Sequence, residues 1–123
     1  MVVYLASDLI WATKIKSTAE AIGVSARPVR DLDMLDARLE DSDPAAIILD
    51  LEAPDAAREM IGRLRGQDAK VADRKIRILA FAPHVHRELI DEARTLGADE
   101  VLTRGAFDHD LPEILLRLAA RSR

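Results

Sequence analysis

The apolar run AAIILD (45–50) ends in a carboxylate, Asp50, and a second acid, Glu52, follows just ahead of Pro54. An acid placed where a dry strand reaches the surface can ligate a cation, cap the next helix or pair with a basic side chain. A similar junction follows VVYLA (2–6), where Ser7 and Asp8 come next. Asp8, Asp50 and Glu52 are therefore the oxygen donors to weigh for a divalent ion, with Glu52 more simply a solvated loop acid. Other chemistry is poorly supported. His84 and His86 sit at i, i+2, a spacing that shares one side of a strand but diverges at a helix start, and the third histidine, His109, lies in the last helical region. No zinc site is expected from them. Ser7, Ser17, Thr18 and Thr103 lack a G-x-S-x-G setting. The turn after the first apolar run reads ASDL, which is neither a dinucleotide fingerprint nor a phosphate loop.

The elements that must position these residues are short apolar runs alternating with helical periods. VVYLA (2–6), AAIILD (45–50), IRILAFA (76–82) and EVLT (100–103) are apolar at successive positions, as strands covered on both faces are. SARPVR (25–30) is a weaker strand whose proline places it at an edge. Between them, Ile15, Ala19 and Ile22 share a stripe in 9–22, closed by Gly23, and Leu32, Leu35 and Leu39 share one in 32–41. Pro54 opens a helix with Ala57, Met60, Ile61 and Leu64 inward, closed by Gly66. Val85, Leu89, Ala93 and Leu96 predict a fourth inward stripe before Gly97, and Leu111, Ile114, Leu115 and Leu118 a fifth. QDAKVADRK (67–75) reads as a polar surface loop.

Strict alternation of five strands and five helices means βαβ units and a parallel sheet, here one α/β domain spanning 1–123. The expected solution is a flavodoxin-like three-layer sandwich with a five-stranded sheet in the order 2-1-3-4-5. Ligands of such sheets bind beyond the carboxyl ends of strands 1 and 3, where the order reverses. Asp50 ends the third strand, and Ser7 and Asp8 follow the first.

The net charge of −4, with acids and bases interspersed and few aromatics, disfavours nucleic acid as a partner. With no cysteine there is no disulfide, and no apolar stretch approaches the ~20 residues of a bilayer span. Met1 runs directly into the first strand without a leader, so the expectation is a soluble cytoplasmic protein that does not engage a membrane.

Over nearly its whole length, and in register, the chain resembles a receiver domain of two-component response regulators. The most specific pieces are ILDLEAPD (48–55), similar to the phosphoacceptor strand and its loop, and ELIDEARTLGADEVLTRGAF (88–107), similar to the fourth helix and fifth strand. The resemblance makes Asp50 the counterpart of the phosphoacceptor. The two acids that hold Mg²⁺ in that family fall on Ala6 and Ser7, counting back from Gly23, with Asp8 one residue beyond. The hydroxyl residue that follows the phosphoryl group falls on Ala82, the family's lysine near the end of strand 5 on Arg104 and the switch aromatic on Val101. The pattern is that of a degenerate receiver, or pseudo-receiver, with one of the five phosphorylation positions retained, Arg104 altered, and the switch aromatic lost besides.

The resemblance implies a non-enzymatic signalling module that binds a protein partner independently of phosphorylation, with homodimerisation open. Its partner face would be built from Arg87, Asp91, Arg94, Val101, Thr103 and the outer side of 108–120. Asp50 and Arg104 are expected to form a standing salt bridge that fixes the site. No cofactor is expected on this reading. The alternative is a single-domain response regulator phosphorylated on Asp50 in a phosphorelay, with Mg²⁺ held by Asp50, Asp8 and Glu52. A small flavodoxin-like enzyme is a third reading, resting on fold analogy alone. Trp11, in the first turn of the first helix, is either buried against the adjoining loop or exposed as a partner anchor.

Overall fold

The computed structural model describes residues 1–120. The chain alternates β1 (Val2–Leu5), α1 (Leu9–Ile22), β2 (Ala26–Pro28), α2 (Leu32–Asp41), β3 (Ala46–Asp50) and α3 (Pro54–Arg65). It continues through α4 (Val71–Arg74), β4 (Arg77–Ala82), α5 (Arg87–Leu96), β5 (Glu100–Thr103), α6 (Arg104–His109) and α7 (Leu111–Ala119). The strands form one parallel sheet in the order β2-β1-β3-β4-β5, the predicted doubly wound topology.

The unbroken apolar runs are explained by two buried layers. Val3, Leu5, Ile47, Leu49 and Ile78 point to one side, where Leu35, Met60, Ile61, Leu64 and Ala93 of α2, α3 and α5 cover them. Their neighbours Val2, Tyr4, Ile48, Leu79 and Phe81 point to the other, under Trp11, Ile15 and Ala19 of α1, Phe107 of α6, and Leu111, Ile114, Leu115 and Leu118 of α7. Each strand side chain is thus taken out of water on alternate faces, at about 1.5–3 kcal/mol for a large aliphatic group. Gly23 ends α1 with φ 74°, and its amide donates to Ala19 and Glu20, as the C-cap reading required.

Three expectations need correction. The segment 67–75 is not wholly loop, because Val71–Arg74 form a helical turn. Asp73 organises it: this carboxylate is nearly buried, accepts from the Lys70 amide at 2.9 Å and pairs with Arg63 at 2.6 Å. Polar residues that read as solvated are held by a tertiary ion pair. Ahead of α7 the chain also forms α6, started by Thr103, whose Oγ1 accepts from the Ala106 amide at 3.3 Å, and anchored by the buried Phe107. Finally, α5 begins at Arg87, so Val85 falls outside it and is 70% exposed. Leu96 is exposed as well, which leaves Ala93 as the buried residue of that helix, with Leu89 and Ile90 partly covered.

Burial pushes the Asp73 carboxyl up, but hydrogen bonds from Arg63 and the Lys70 amide outweigh it and hold the group below its ordinary value. A depressed carboxylate contributes stability above its unfolded pKa and loses it as pH falls through the lower folded value. Asp73→Asn should therefore cost about 1–3 kcal/mol at neutral pH. Urea unfolding should also show a shallower loss of stability below about pH 4 in the variant than in the parent.

Candidate functional site

The carboxyl ends of β1 and β3 are adjacent in the sheet, with Leu5 paired to Leu49. That register brings Ser7 beside Asp50. Asp50 has 0% of its surface exposed, so its carboxylate must find donors within the protein. It finds three. The Ser7 amide donates to Oδ2 at 2.8 Å, the Ser7 hydroxyl donates to the same oxygen at 2.5 Å, and the Glu52 amide donates to Oδ1 at 3.0 Å. Two of these come from the β1–α1 connection and one from the turn after β3, where the Ala53 amide also donates to the Asp50 carbonyl.

The expected Asp50–Arg104 bridge is absent. Arg104 instead donates to Glu52 Oε1 at 2.9 Å, and both partners are well exposed to solvent. The physical reason is position. Arg104 opens α6 at the protein surface, where the Glu52 side chain is available, whereas Asp50 lies beneath the loops with its oxygens already engaged. Glu52 is accordingly a paired rim residue and not a freely solvated acid.

Asp8 is the N-cap of α1, its Oδ1 accepting from the Trp11 amide at 2.9 Å. Each of the three carboxylates proposed for a divalent ion thus spends oxygen on another partner. Among the described residues no group of three or more His, Asp or Glu is placed to share a metal. The donor set as arranged does not fit Mg²⁺. His84 and His86 are exposed in the β4–α5 connection, while exposed His109 shares Nδ1 with Asp110 at 2.8 Å, an interaction that raises the imidazole's pKa.

Ala82 is buried and paired to Thr103 across β4 and β5, offering a methyl group where a hydroxyl would be needed. Val101 is buried too, so it cannot belong to a partner face. Arg87, Asp91, Arg94 and Thr103 are exposed, as that face requires, with Asp91 and Arg94 in a loose pair at 3.7 Å. Trp11 resolves to burial. It packs on Phe81 at 5.1 Å and Phe107 at 5.7 Å between centroids, and those two rings stack at 4.1 Å. Phe81 is the residue paired with Asp50, so this aromatic trio underlies the site. The role of Ser7 as principal donor was visible in its position, since it occupies one of the two places the receiver resemblance assigns to acids, but its identity as a partner for Asp50 was not anticipated.

Comparison with solved structures shows that this architecture is the fold of response-regulator receiver domains. The chain superposes on a response-regulator receiver domain from Bermanella marisrubri with a TM-score of 0.77, 22% identity and 97% of each chain covered. CheY4, a chemotaxis response regulator of Vibrio cholerae, gives 0.75 at 19% identity over 95% of this chain and 96% of that one. The N-terminal receiver domain of a two-component response regulator from Bacteroides fragilis gives 0.76 at 15% identity, covering 98% and 97%. No protein-family profile and no curated protein sequence matches the chain. At these identities the likeness establishes the receiver fold, and the residues of the site must speak for themselves.

Two substitutions separate the inner hydrogen bonds from the outer ion pair. Ser7→Ala should lower stability by about 1–3 kcal/mol, because it strips a donor from a buried carboxylate. Arg104→Ala should change it by no more than about 1 kcal/mol, the scale of an exposed pair. Thermal or urea unfolding that ranked the two in the opposite order would refute this assignment.

Proposed function

We propose that this protein is a receiver-like signalling module that works by protein–protein contact and without phosphorylation of Asp50. One observation carries the reading. The acceptor-position carboxylate is fully buried and held through both oxygens by Ser7 and the Glu52 amide, with Ser7 standing where the receiver resemblance calls for a metal-binding acid. Moving a phosphoryl group onto a carboxylate brings like charges together, which in phosphoryl transfer a divalent ion offsets. Here Asp8 is committed to capping α1 and Glu52 to Arg104. A phosphoryl group would also meet Ala82 and Val101 at the positions through which receivers read it out.

Signalling on this reading depends on surface. The exposed side of α5 and β5 presents Arg87, Asp91, Arg94 and Thr103. A protein partner, or a second copy of the chain, would engage that face. The described residues contain no helix long and apolar enough to cross a membrane.

The test is titration with Mg²⁺ and then with Mg²⁺ plus beryllium fluoride, a mimic of the aspartyl phosphate. Trp11 fluorescence reports it, since the Trp11 amide is bonded to Asp8 beside the site, and thermal shift checks the result. Both signals should stay flat to millimolar Mg²⁺. The double variant Ala6→Asp/Ser7→Asp, which supplies two acids after β1, should acquire a response. A saturable change in the parent that disappears in Asp50→Ala would overturn the proposal and restore the phosphorylatable alternative.

A further inference from the structure

The β1–α1 connection that holds Asp50 also borders a second feature. An open groove of about 500 Å³ runs between α1 and the end of β2, its floor and walls including Tyr4, Ala12, Pro28 and Val29. Leu9 stands at its mouth with 80% of its surface exposed, next to Ile10 at 76%. These are the most exposed large apolar side chains among the described residues, and they project from one turn of one helix. Isolated exposed leucines are ordinary, but adjacent ones beside a groove mark a contact surface.

The charges around the groove choose the occupant. Lys16 lines it from α1, two turns beyond Leu9, and Arg30 lines it from the end of β2. Neither takes part in an ion pair among the described residues. Of the carboxylates nearby, Asp8, itself a lining residue, caps α1, Asp31 caps α2, accepting from the Met34 amide at 2.8 Å, and Glu20 lies within electrostatic reach of Tyr4. Two unpaired cations thus flank an apolar mouth on a protein whose net charge is −4. Two cations are too few for a phosphate backbone, and the one aromatic ring in the groove, Tyr4, is only 3% exposed, which rules out a stacking platform. The open, elongated shape suits an extended segment better than an enclosed small molecule.

We propose that this groove docks an acidic segment of a partner protein, with an apolar residue of the segment against Leu9, Ala12 and Pro28 and its carboxylates toward Lys16 and Arg30. This rests on reading the protein as a contact module, and it assigns that contact a second surface, distinct from the α5 face. The charges supply register and steering, and the apolar anchor supplies most of the affinity.

Random peptides displayed on phage and selected against the whole chain provide the probe. The enriched peptides should combine Asp or Glu with a Leu, Ile or Phe. Synthetic copies should shift the backbone amide resonances of Tyr4, Ala12, Thr13 and Val29 in the ¹⁵N-labelled protein. Lys16→Glu/Arg30→Glu should weaken them by about tenfold or more and enrich basic peptides in a repeat selection. Leu9→Ala should weaken them as well, and Lys75→Glu, at the opposite end of the sheet, should not. All three sets of substitutions are at exposed positions, and an unchanged melting temperature confirms folding. The proposal is overturned by a selection that yields no binders, by peptides without acidic bias, by indifference to the double reversal, or by shifts confined to α5. A beryllium fluoride response in the parent would instead overturn the phosphorylation-independent reading while leaving the groove result standing.

Discussion

A carboxylate with no solvent exposure at the end of the central strand is the constraint around which the site is built. Asp50 cannot remain there without donors, since a buried charge lacking partners is costly. Ser7 and the Glu52 amide satisfy it, and hydrogen bonds to charged groups are worth about 1.5–3 kcal/mol, against about 0–1 kcal/mol for an exposed pair such as Arg104–Glu52. The inner contacts therefore decide the geometry and the outer pair follows it. Asp8 comes immediately after Ser7 and caps α1, so the same contacts also set where that helix begins. The entry to α1, the exit of β3 and the first turn beyond it are one connected structure.

Beneath it lies a floor with little freedom to rearrange. Trp11, Phe81 and Phe107 pack as one aromatic cluster, with Phe81 and Phe107 stacked and Trp11 tilted across both. Phe81 sits opposite Asp50 in the ladder, and Ala82 after it is buried against the last strand. The bulky aromatic groups near the site are inside the protein, while the positions that would have to move in a receiver carry a methyl group and a buried valine. A two-state response requires an element with two packings of similar energy. On the proposed reading, the close-packed interior supplies no such second packing at this point.

Much of this was legible beforehand, and for a physical reason. Strands covered on both faces must be apolar throughout, so β1, β3 and β4 announced themselves, and inward stripes with glycine caps marked α1 and α3. The sheet order followed from alternation. What escaped depended on tertiary partners. The turn of α4 is held by Asp73 reaching Arg63, and α6 by a single buried aromatic, Phe107; neither leaves a periodic trace. The stripe assigned to 85–96 failed at both ends because the helix starts at Arg87 and covers less of the sheet than its apolar residues suggested. The site was misread in one respect. Opposite charge is what a sequence displays, so Arg104 looked like the partner of Asp50, whereas a serine forty-three residues away in the chain gives no such signal. The depth of each group, not its sign, settled the pairing.

That exchange of a charged partner for a hydroxyl has a functional consequence. A divalent ion and a serine can both stabilise a carboxylate at the end of β3, but they differ in what they allow next. A metal ion is exchangeable, carries excess positive charge and leaves coordination positions for incoming phosphoryl oxygens. Ser7 is covalently part of the chain, neutral, and once it has donated its proton and its amide it has no further donor to give. The arrangement answers the electrostatic need of a buried acid from within the chain. What Ser7 keeps constant is the start of α1, and Leu9 and Ile10 project from that first turn. Under the proposed phosphorylation-independent reading, the site is a fixed support for the surface beside it.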